Sequence, residues 1–412
     1  MTTQSRYFID PFGCVKNQVD AENIMADLNN AGWENVGDAE QADVIIVNSC
    51  GFIESAKKES IDAVLWWRKL YPKKRIILAG CLAKRYGKEL AEILQEAEVT
   101  DMVSATLSAG ERPLLSMPGS AYVKISDGCN NNCSYCAIPL IRGSLVCRTI
   151  SDITDECRTL LNRGIKELCI IGQDIGAYTE KEKGLMELLK SISALDGDYW
   201  VRLLYIHPDH FPLEILDLME KDKRILPYFD IPFQHASSKI LAAMNRRGNA
   251  KKYLELIKTI RARLPDAIIR STFLLGFPGE TDEDFAELLD FQKKAKLDWL
   301  GCFAYSREEG TAAYAMKGRV AGKTAKMRKQ TIEERQVSIT EKSMDRFTSQ
   351  TLDVLIEEQI DEFWLGRLYC QAPDIDGAAV ISGSEEKNPK AGSFAKCKIA
   401  ARRGFDLEVR IL

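Results

Sequence analysis

Three short apolar runs near the N-terminus each stop at a cysteine: RYFIDPFGC at Cys14, ADVIIVNSC at Cys50 and KRIILAGC at Cys81. Helically patterned segments, NQVDAENIMADLNNAG and SAKKESIDAVLWWRKLY, separate them. Continuous apolar strands alternating with helices build a parallel sheet covered on both faces. The C-terminal ends of such strands share one edge, and that edge is where ligands bind. Cys14, Cys50 and Cys81, far apart in sequence, are therefore expected to converge in space. One cysteine at a strand end reads as a small buried hydrophobe. Three at equivalent positions in successive units point to a shared metal site.

A second group is local. The stretch ISDGCNNNCSYCAIPLIRG, residues 125–143, places Cys129, Cys133 and Cys136 in a C-x3-C-x2-C spacing, in a loop with three consecutive asparagines. Three thiolates on a four-iron cluster leave one iron open, and an open coordination position is what a catalytic metal site requires. Cys147, further along, is an alternative fourth ligand for zinc, although the spacing is not the usual paired C-x2-C.

The chain has 412 residues, 45% hydrophobic content and a formal net charge of −4. That length suggests several domains, and the charge does not indicate an overall basic surface for nonspecific nucleic-acid binding. The N-terminus, MTTQSRYFIDPFG, lacks a basic segment followed by an apolar run, so no signal peptide is expected. No stretch approaches the roughly 18 consecutive apolar residues of a membrane span. These features imply a cytoplasmic protein without a membrane partner. In that compartment thiols stay reduced, and twelve cysteines read first as metal ligands or catalytic groups.

The expected architecture is a multidomain α/β protein. Residues 1–110 form the parallel α/β domain, and the proline-containing stretch ERPLLSMPGS is a linker. Residues 115–321 carry six candidate strands alternating with helices, a partial (β/α)6 barrel instead of the full eight-strand form. Polar residues stand at or near its strand ends: Gln173, Asp174, His207, Gln234, His235 and Ser306. Residues 322–345 read as a charged connecting helix. Residues 346–412 hold short β-like runs divided by turn residues and read as a small all-β barrel. Cys157, Cys169, Cys302, Cys370 and Cys397 fall within predicted elements and are expected to be buried.

With C-x3-C-x-aromatic-C at the start of a β/α barrel, the chain resembles the radical S-adenosylmethionine (SAM) superfamily. The resemblance implies that Cys129, Cys133 and Cys136 hold a 4Fe-4S cluster, that SAM binds its open iron, and that Tyr135 lies near the adenine. Gln173 is a candidate SAM contact at a strand end, and Gly276, within RSTFLLGFPGE, resembles the family's later glycine-containing strand that contacts SAM. No side chain is singled out as a catalytic group, because the clusters and SAM carry the radical chemistry.

The order of domains is similar to that of the methylthiotransferases, with a C-terminal TRAM-like β-barrel. This implies a second 4Fe-4S cluster on Cys14, Cys50 and Cys81, associated with the inserted sulfur. It also implies two uses of SAM, as methyl donor and as radical source. GCVKNQVDAE, NSCGFIESAKKESID, CAIPLIRG, IGQD and DIPFQH resemble the branch that methylthiolates the β-carbon of an aspartate in small-subunit ribosomal protein S-twelve. Ala21 stands where that branch usually has serine. The alternative is the sister tRNA methylthiotransferase, whose motif usually reads G-C-Q-M-N. A low-potential electron donor such as flavodoxin or ferredoxin is implied; the sulfur donor is unknown. Residues 346–386 hold nine acidic and two basic side chains, a balance suited to a basic protein partner, while residues 387–412 are basic. Arg142 is a candidate contact for SAM or substrate, or a structural loop arginine. His235 is either a barrel-mouth residue or part of the core.

Overall fold

The computed structural model describes residues 5–100, 111–382 and 389–412. Position 110, the last residue of the AAVISG run, Glu385 and Glu386 lie outside the described residues. The chain divides into two compact units. The first comprises Met1–Leu115, Ser126–Val146 and Ser306–Tyr314; the second comprises Ser116–Ile125, Cys147–Tyr305 and Ala315–Leu412.

In the first unit, strands β1 (Arg6–Pro11), β2 (Glu34–Asn35), β3 (Val44–Ser49), β4 (Arg75–Gly80) and β5 (Glu98–Val99) form one sheet in the order β2-β1-β3-β4-β5. Every pairing is parallel. Alternate strand residues feed two cores. Ile45, Val47, Ile76 and Leu78 pack with Val64 and Trp67 on one face. Ile9, Ile46, Ile77 and Ala79 pack with Ala21, Ile24 and Met25 on the other. This strand order reverses direction between β1 and β3, the switch point at which doubly wound sheets open a crevice beyond their strand ends. The predicted strands are present. The two-residue edge strands β2 and β5 were not expected, being too short to carry an apolar period.

Helix α1 (Val15–Asn30) follows Cys14, α2 (Glu54–Leu70) starts shortly after Cys50, and α3 (Cys81–Ile93) begins with Cys81 itself. Cys14 and Cys81 therefore also open helices, whose N-termini favour negative charge, while Cys50 precedes α2 by a short turn.

The second unit contains a six-stranded open parallel sheet in the order β13-β12-β11-β10-β9-β6. Its strands are β6 (Ser120–Lys124), β9 (Glu167–Ile171), β10 (Trp200–Leu203), β11 (Ile225–Asp230), β12 (Ile268–Leu275) and β13 (Trp299–Ala304). Between β6 and β9 in sequence, the two-residue strands β7 (Ser126–Asp127) and β8 (Val146–Cys147) bracket the cysteine loop, which holds the short helix α4 (Ile138–Arg142) and belongs to the first unit. Helices α5 (Ile150–Asn162), α6 (Leu185–Ser193), α7 (Ile215–Lys221), α9 (Ala250–Arg263) and α10 (Asp282–Ala295) match the predicted helical segments. The six-residue α8 (Ser238–Ala243) was not anticipated.

Helix α11 (Gly322–Asp345) does more than connect. Gln336 Nε2 donates to the Leu297 carbonyl and the Thr340 hydroxyl to that of Asp298, both at 2.8 Å. Arg328 reaches Glu280 Oε1 at 2.6 Å with both side chains buried. Beyond it, β14 (Thr351–Ile360), β15 (Phe363–Arg367), β16 (Ala379–Ile381), β17 (Phe394–Arg403) and β18 (Asp406–Ile411) close a five-stranded barrel. Within this unit the fully buried Glu167 receives Arg202 Nε at 2.7 Å and Arg367 Nη2 at 2.5 Å. Arg367 also reaches Glu357 at 2.7 Å.

The tail's acidic balance is partly spent internally. Glu357 pairs with Arg367 and the Asp376 side chain is 1% exposed beside Arg270, while the exposed Asp374 also accepts from the Tyr122 hydroxyl. Less of the acid count is presented to solvent than the sequence implied.

Candidate functional site

The turn GCVKN after β1 organises the first site. Asn17 Nδ2 donates to the carbonyls of Phe12 (2.5 Å), Asn48 (3.2 Å) and Ser49 (3.2 Å), tying the end of β1 to that of β3. Asn48 Nδ2 returns a bond to the Asn17 carbonyl at 2.8 Å. Cys81 Sγ lies 3.6 Å from Asn17 Oδ1, so one asparagine touches all three strand ends. A Cβ on Gly13 would stand 3.0 Å from Cys50 Cβ and 3.3 Å from its sulfur; one on Gly51 would meet the Cys81 carbonyl at 2.7 Å. The glycines let the three cysteine segments close together. Cys14, Cys50 and Cys81 thus converge, as the strand-end argument anticipated.

Their electrostatics are coupled. Burial raises the Cys50 thiol to about 11, with the neighbouring Cys14 and Cys81 charges pushing the same way. Burial also raises Cys81, opposed by Arg142 and reinforced by Asp20. Cys14, at the N-terminus of α1, is exposed at the edge of a dense surround. Burial pushes its thiol up, but the Lys16 charge, the Asn17 N–H and the Arg142 charge outweigh this and hold it below the usual thiol range. Three soft thiol donors, two of them at helix N-termini, with the Lys16 and Arg142 charges beside them, suit a polynuclear iron–sulfur group carrying negative charge.

The loop with Cys129, Cys133 and Cys136 belongs to the same compact unit. Gly128, at φ +71°, starts it; a Cβ there would meet the Ser144 carbonyl oxygen at 2.1 Å. The Cys129 N–H donates to the Gly143 carbonyl at 3.2 Å, and the Cys136 N–H to that of Cys133 at 3.0 Å. The Ala313 N–H reaches the Ser134 carbonyl at 2.7 Å. All three cysteines and Tyr135 are half-buried, leaving the thiols partly accessible as cluster ligands must be.

Arg142 links the two cysteine groups. Its side chain is 5% exposed, and Nη2 lies 2.6 Å from Asp20 Oδ2 and 3.1 Å from Cys81 Sγ. Its Nη1 reaches Asp127 Oδ1 at 3.0 Å. Sequence reading singled out Arg142 but not Asp20 or this connection. It also missed Glu308, whose buried carboxylate receives Lys57 at 2.8 Å, Arg85 at 2.9 Å and the Glu54 N–H at 2.9 Å.

In the second unit, Gln173 is half-buried, and its Nε2 is shielded from solvent with no hydrogen-bond partner among the described residues. A buried amide donor in this state fits a polar ligand group. Gly276 adopts φ +75°, and a Cβ would stand 2.3 Å from Ala325 Cβ on α11. Asp174 Oδ1 accepts from the Gly176 and His207 N–H groups, and Oδ2 takes a 2.7 Å bond from His210 Nδ1. His210 was absent from the sequence-based rim. His235 belongs to the core, with Nδ1 accepting from the Ser237 N–H. Cys147 accepts from the Thr179 N–H at 3.4 Å. The five cysteines expected in the core are buried.

An open parallel β/α sheet whose first strand leads into a C-x3-C-x2-C loop defines the radical SAM class. Residues 123–291 match the Radical SAM superfamily, residues 6–103 the Uncharacterized protein family UPF0004, and residues 350–412 the TRAM domain. The methyltransferase TsrM of Kitasatospora setae, a radical S-adenosylmethionine enzyme, shares the fold at TM-score 0.55 and 14% identity, over 76% of this chain and 77% of that one.

The chain is 46% identical to the ribosomal protein uS12 methylthiotransferase RimO of Treponema denticola, over 97% of this chain and 99% of the relative. For the proteins of that name in Syntrophomonas wolfei and Thermotoga maritima the identities are 39% and 36%, covering 96% and 98% of this chain and 97% and 99% of theirs. The chain belongs to the RimO family of radical SAM methylthiotransferases.

Proposed function

We propose that this chain is an aspartate methylthiotransferase whose substrate is ribosomal protein uS12, modified at the β-carbon of one aspartate. Full-length similarity to relatives bearing that name supports the substrate. The observation that carries the chemistry is the convergence of Cys14, Cys50 and Cys81 in the same compact unit as the C-x3-C-x2-C loop. Two 4Fe-4S clusters and SAM are the cofactors. When bound, they supply the substrate radical, the inserted sulfur and its methyl group.

The protein's own part is to hold and position. Cys129, Cys133 and Cys136 hold the radical-generating cluster, and Cys14, Cys50 and Cys81 the second. Asn17 clamps the three strand ends around the second site. Tyr135, Gln173 and Gly276 contact SAM, the Gln173 amide donating to one of its polar groups. Domains 1–110, 115–321 and 346–412 carry the second cluster, the radical chemistry and a TRAM-like contact surface, with 322–345 as the joining helix. The enzyme works in the cytoplasm with a low-potential donor of the flavodoxin or ferredoxin kind. No helix among the described residues is long and apolar enough to cross a membrane.

The test is anaerobic reconstitution with iron and sulfide, then SAM and reductant, with uS12 and unmodified tRNA in separate reactions. Mass spectrometry should find one methylthio increment on a uS12 aspartate and none on tRNA. An increment on tRNA alone overturns the substrate assignment.

A further inference from the structure

Arg142 lies in the loop of one cysteine group, yet its guanidinium donates to a cysteine of the other. Its Nη2 is 3.1 Å from Cys81 Sγ, the same nitrogen is 2.6 Å from Asp20 Oδ2, and Nη1 is anchored on Asp127. The next residue, Gly143, accepts the Cys129 N–H. A single turn of chain therefore touches Cys81 through a side chain and Cys129 through a carbonyl. Burial at 5% exposure keeps water from screening the charge, and guanidinium is always cationic.

We propose that Arg142 is a positioning and tuning residue for the group held by Cys14, Cys50 and Cys81, raising the reduction potential of that cluster while Asp20 opposes it. This rests on those three cysteines being cluster ligands. The physics is general. A cation donating an N–H to a ligand sulfur stabilises the more negative, reduced state, and such hydrogen bonds and local charges set cluster potentials. Asp20 accepts from the same nitrogen at 2.6 Å and adds negative charge, so its effect has the opposite sign. The pair also fixes the loop: Arg142 is held by a carboxylate from α1 and another from its own loop, which leaves its fork one orientation toward Cys81.

The experiment uses the full chain with Cys129, Cys133 and Cys136 replaced by alanine, so that only the second cluster forms on reconstitution. Iron content is measured first, then the midpoint of one-electron reduction by potentiometric EPR. In that parent, Arg142→Gln should shift the midpoint to more negative values, Arg142→Lys should lie between Gln and parent, and Asp20→Asn should shift it to less negative values. Loss of packing alone would not move two neighbouring substitutions in opposite directions. Unchanged midpoints with intact clusters, or shifts of the same sign in Arg142→Gln and Asp20→Asn, overturn the proposal alone. A parent that binds no iron overturns both it and the ligand assignment beneath it.

Discussion

The chain has three histidines, and their surroundings set them apart. His235 is fully buried, its Nε2 has no hydrogen-bond partner among the described residues, and burial depresses its pKa to about 4. His207 is pushed to about 4 by burial and then by the Arg246 charge. His210 moves the other way, raised by its hydrogen bond to Asp174. The unfolded chain takes up protons near pH 6.5 that folded His207 and His235 refuse until about pH 4. Stability present above pH 6.5 is therefore lost as pH falls through that window, by roughly 3 kcal/mol for the fully buried His235. Denaturant melts from pH 7 to 4 should show a shallower acid loss in His235→Gln than in the parent. An identical slope in both would mean that His235 does not contribute to the acid loss. By NMR, His210 should titrate above its ordinary value and drop back in Asp174→Asn.

Among the elements, the cysteine loop is held by backbone geometry. Gly128 and Gly143 both sit in the left-handed region, at φ +71° and +72°. A Cβ at Gly128 meets the Ser144 oxygen at 2.1 Å, whereas one at Gly143 meets nothing within 4 Å. Gly128→Ala must therefore displace the loop, while Gly143→Ala, at φ +72° and ψ −160°, meets no neighbour and bears only backbone strain of about 1–3 kcal/mol. After reconstitution, Gly128→Ala should lose roughly half of the bound iron, Gly143→Ala should retain it, and far-UV circular dichroism should match the parent in both. Equal iron in the two variants would contradict this.

The long apolar strands were legible because both faces are buried, so VIIV of β3 and IIL of β4 carry no polar interruption. The cysteines at their ends were legible because parallel topology fixes where those ends meet. Helix α8 and the edge strands fell below the length at which a period can be read. Arg142 with Asp20 and Arg85 with Glu308 join residues far apart in the chain. No local pattern announces such pairs.

For the molecule as a whole, charge is used internally more than composition suggests. Glu167 is completely buried between Arg202 and Arg367, which hold its carboxyl low, at about 2, against the opposing effect of burial. Removing one partner of a buried pair leaves uncompensated charge and costs about 3–5 kcal/mol. Glu167→Gln, which strips the anion from between two arginines, should lose stability on that scale in chemical denaturation at pH 7. A loss under about 1 kcal/mol, the value of an exposed pair, would show that the network is not essential to the unit.

The proposed function requires two separate three-thiol sites. Iron and sulfide analysis of the anaerobically reconstituted full chain tests it directly, beside one variant with Cys14, Cys50 and Cys81 changed to alanine and another with Cys129, Cys133 and Cys136 changed. The parent should hold ~8 irons and each variant ~4, one four-iron cluster apiece. A full complement of iron in either variant, or its complete loss from one of them, would contradict it.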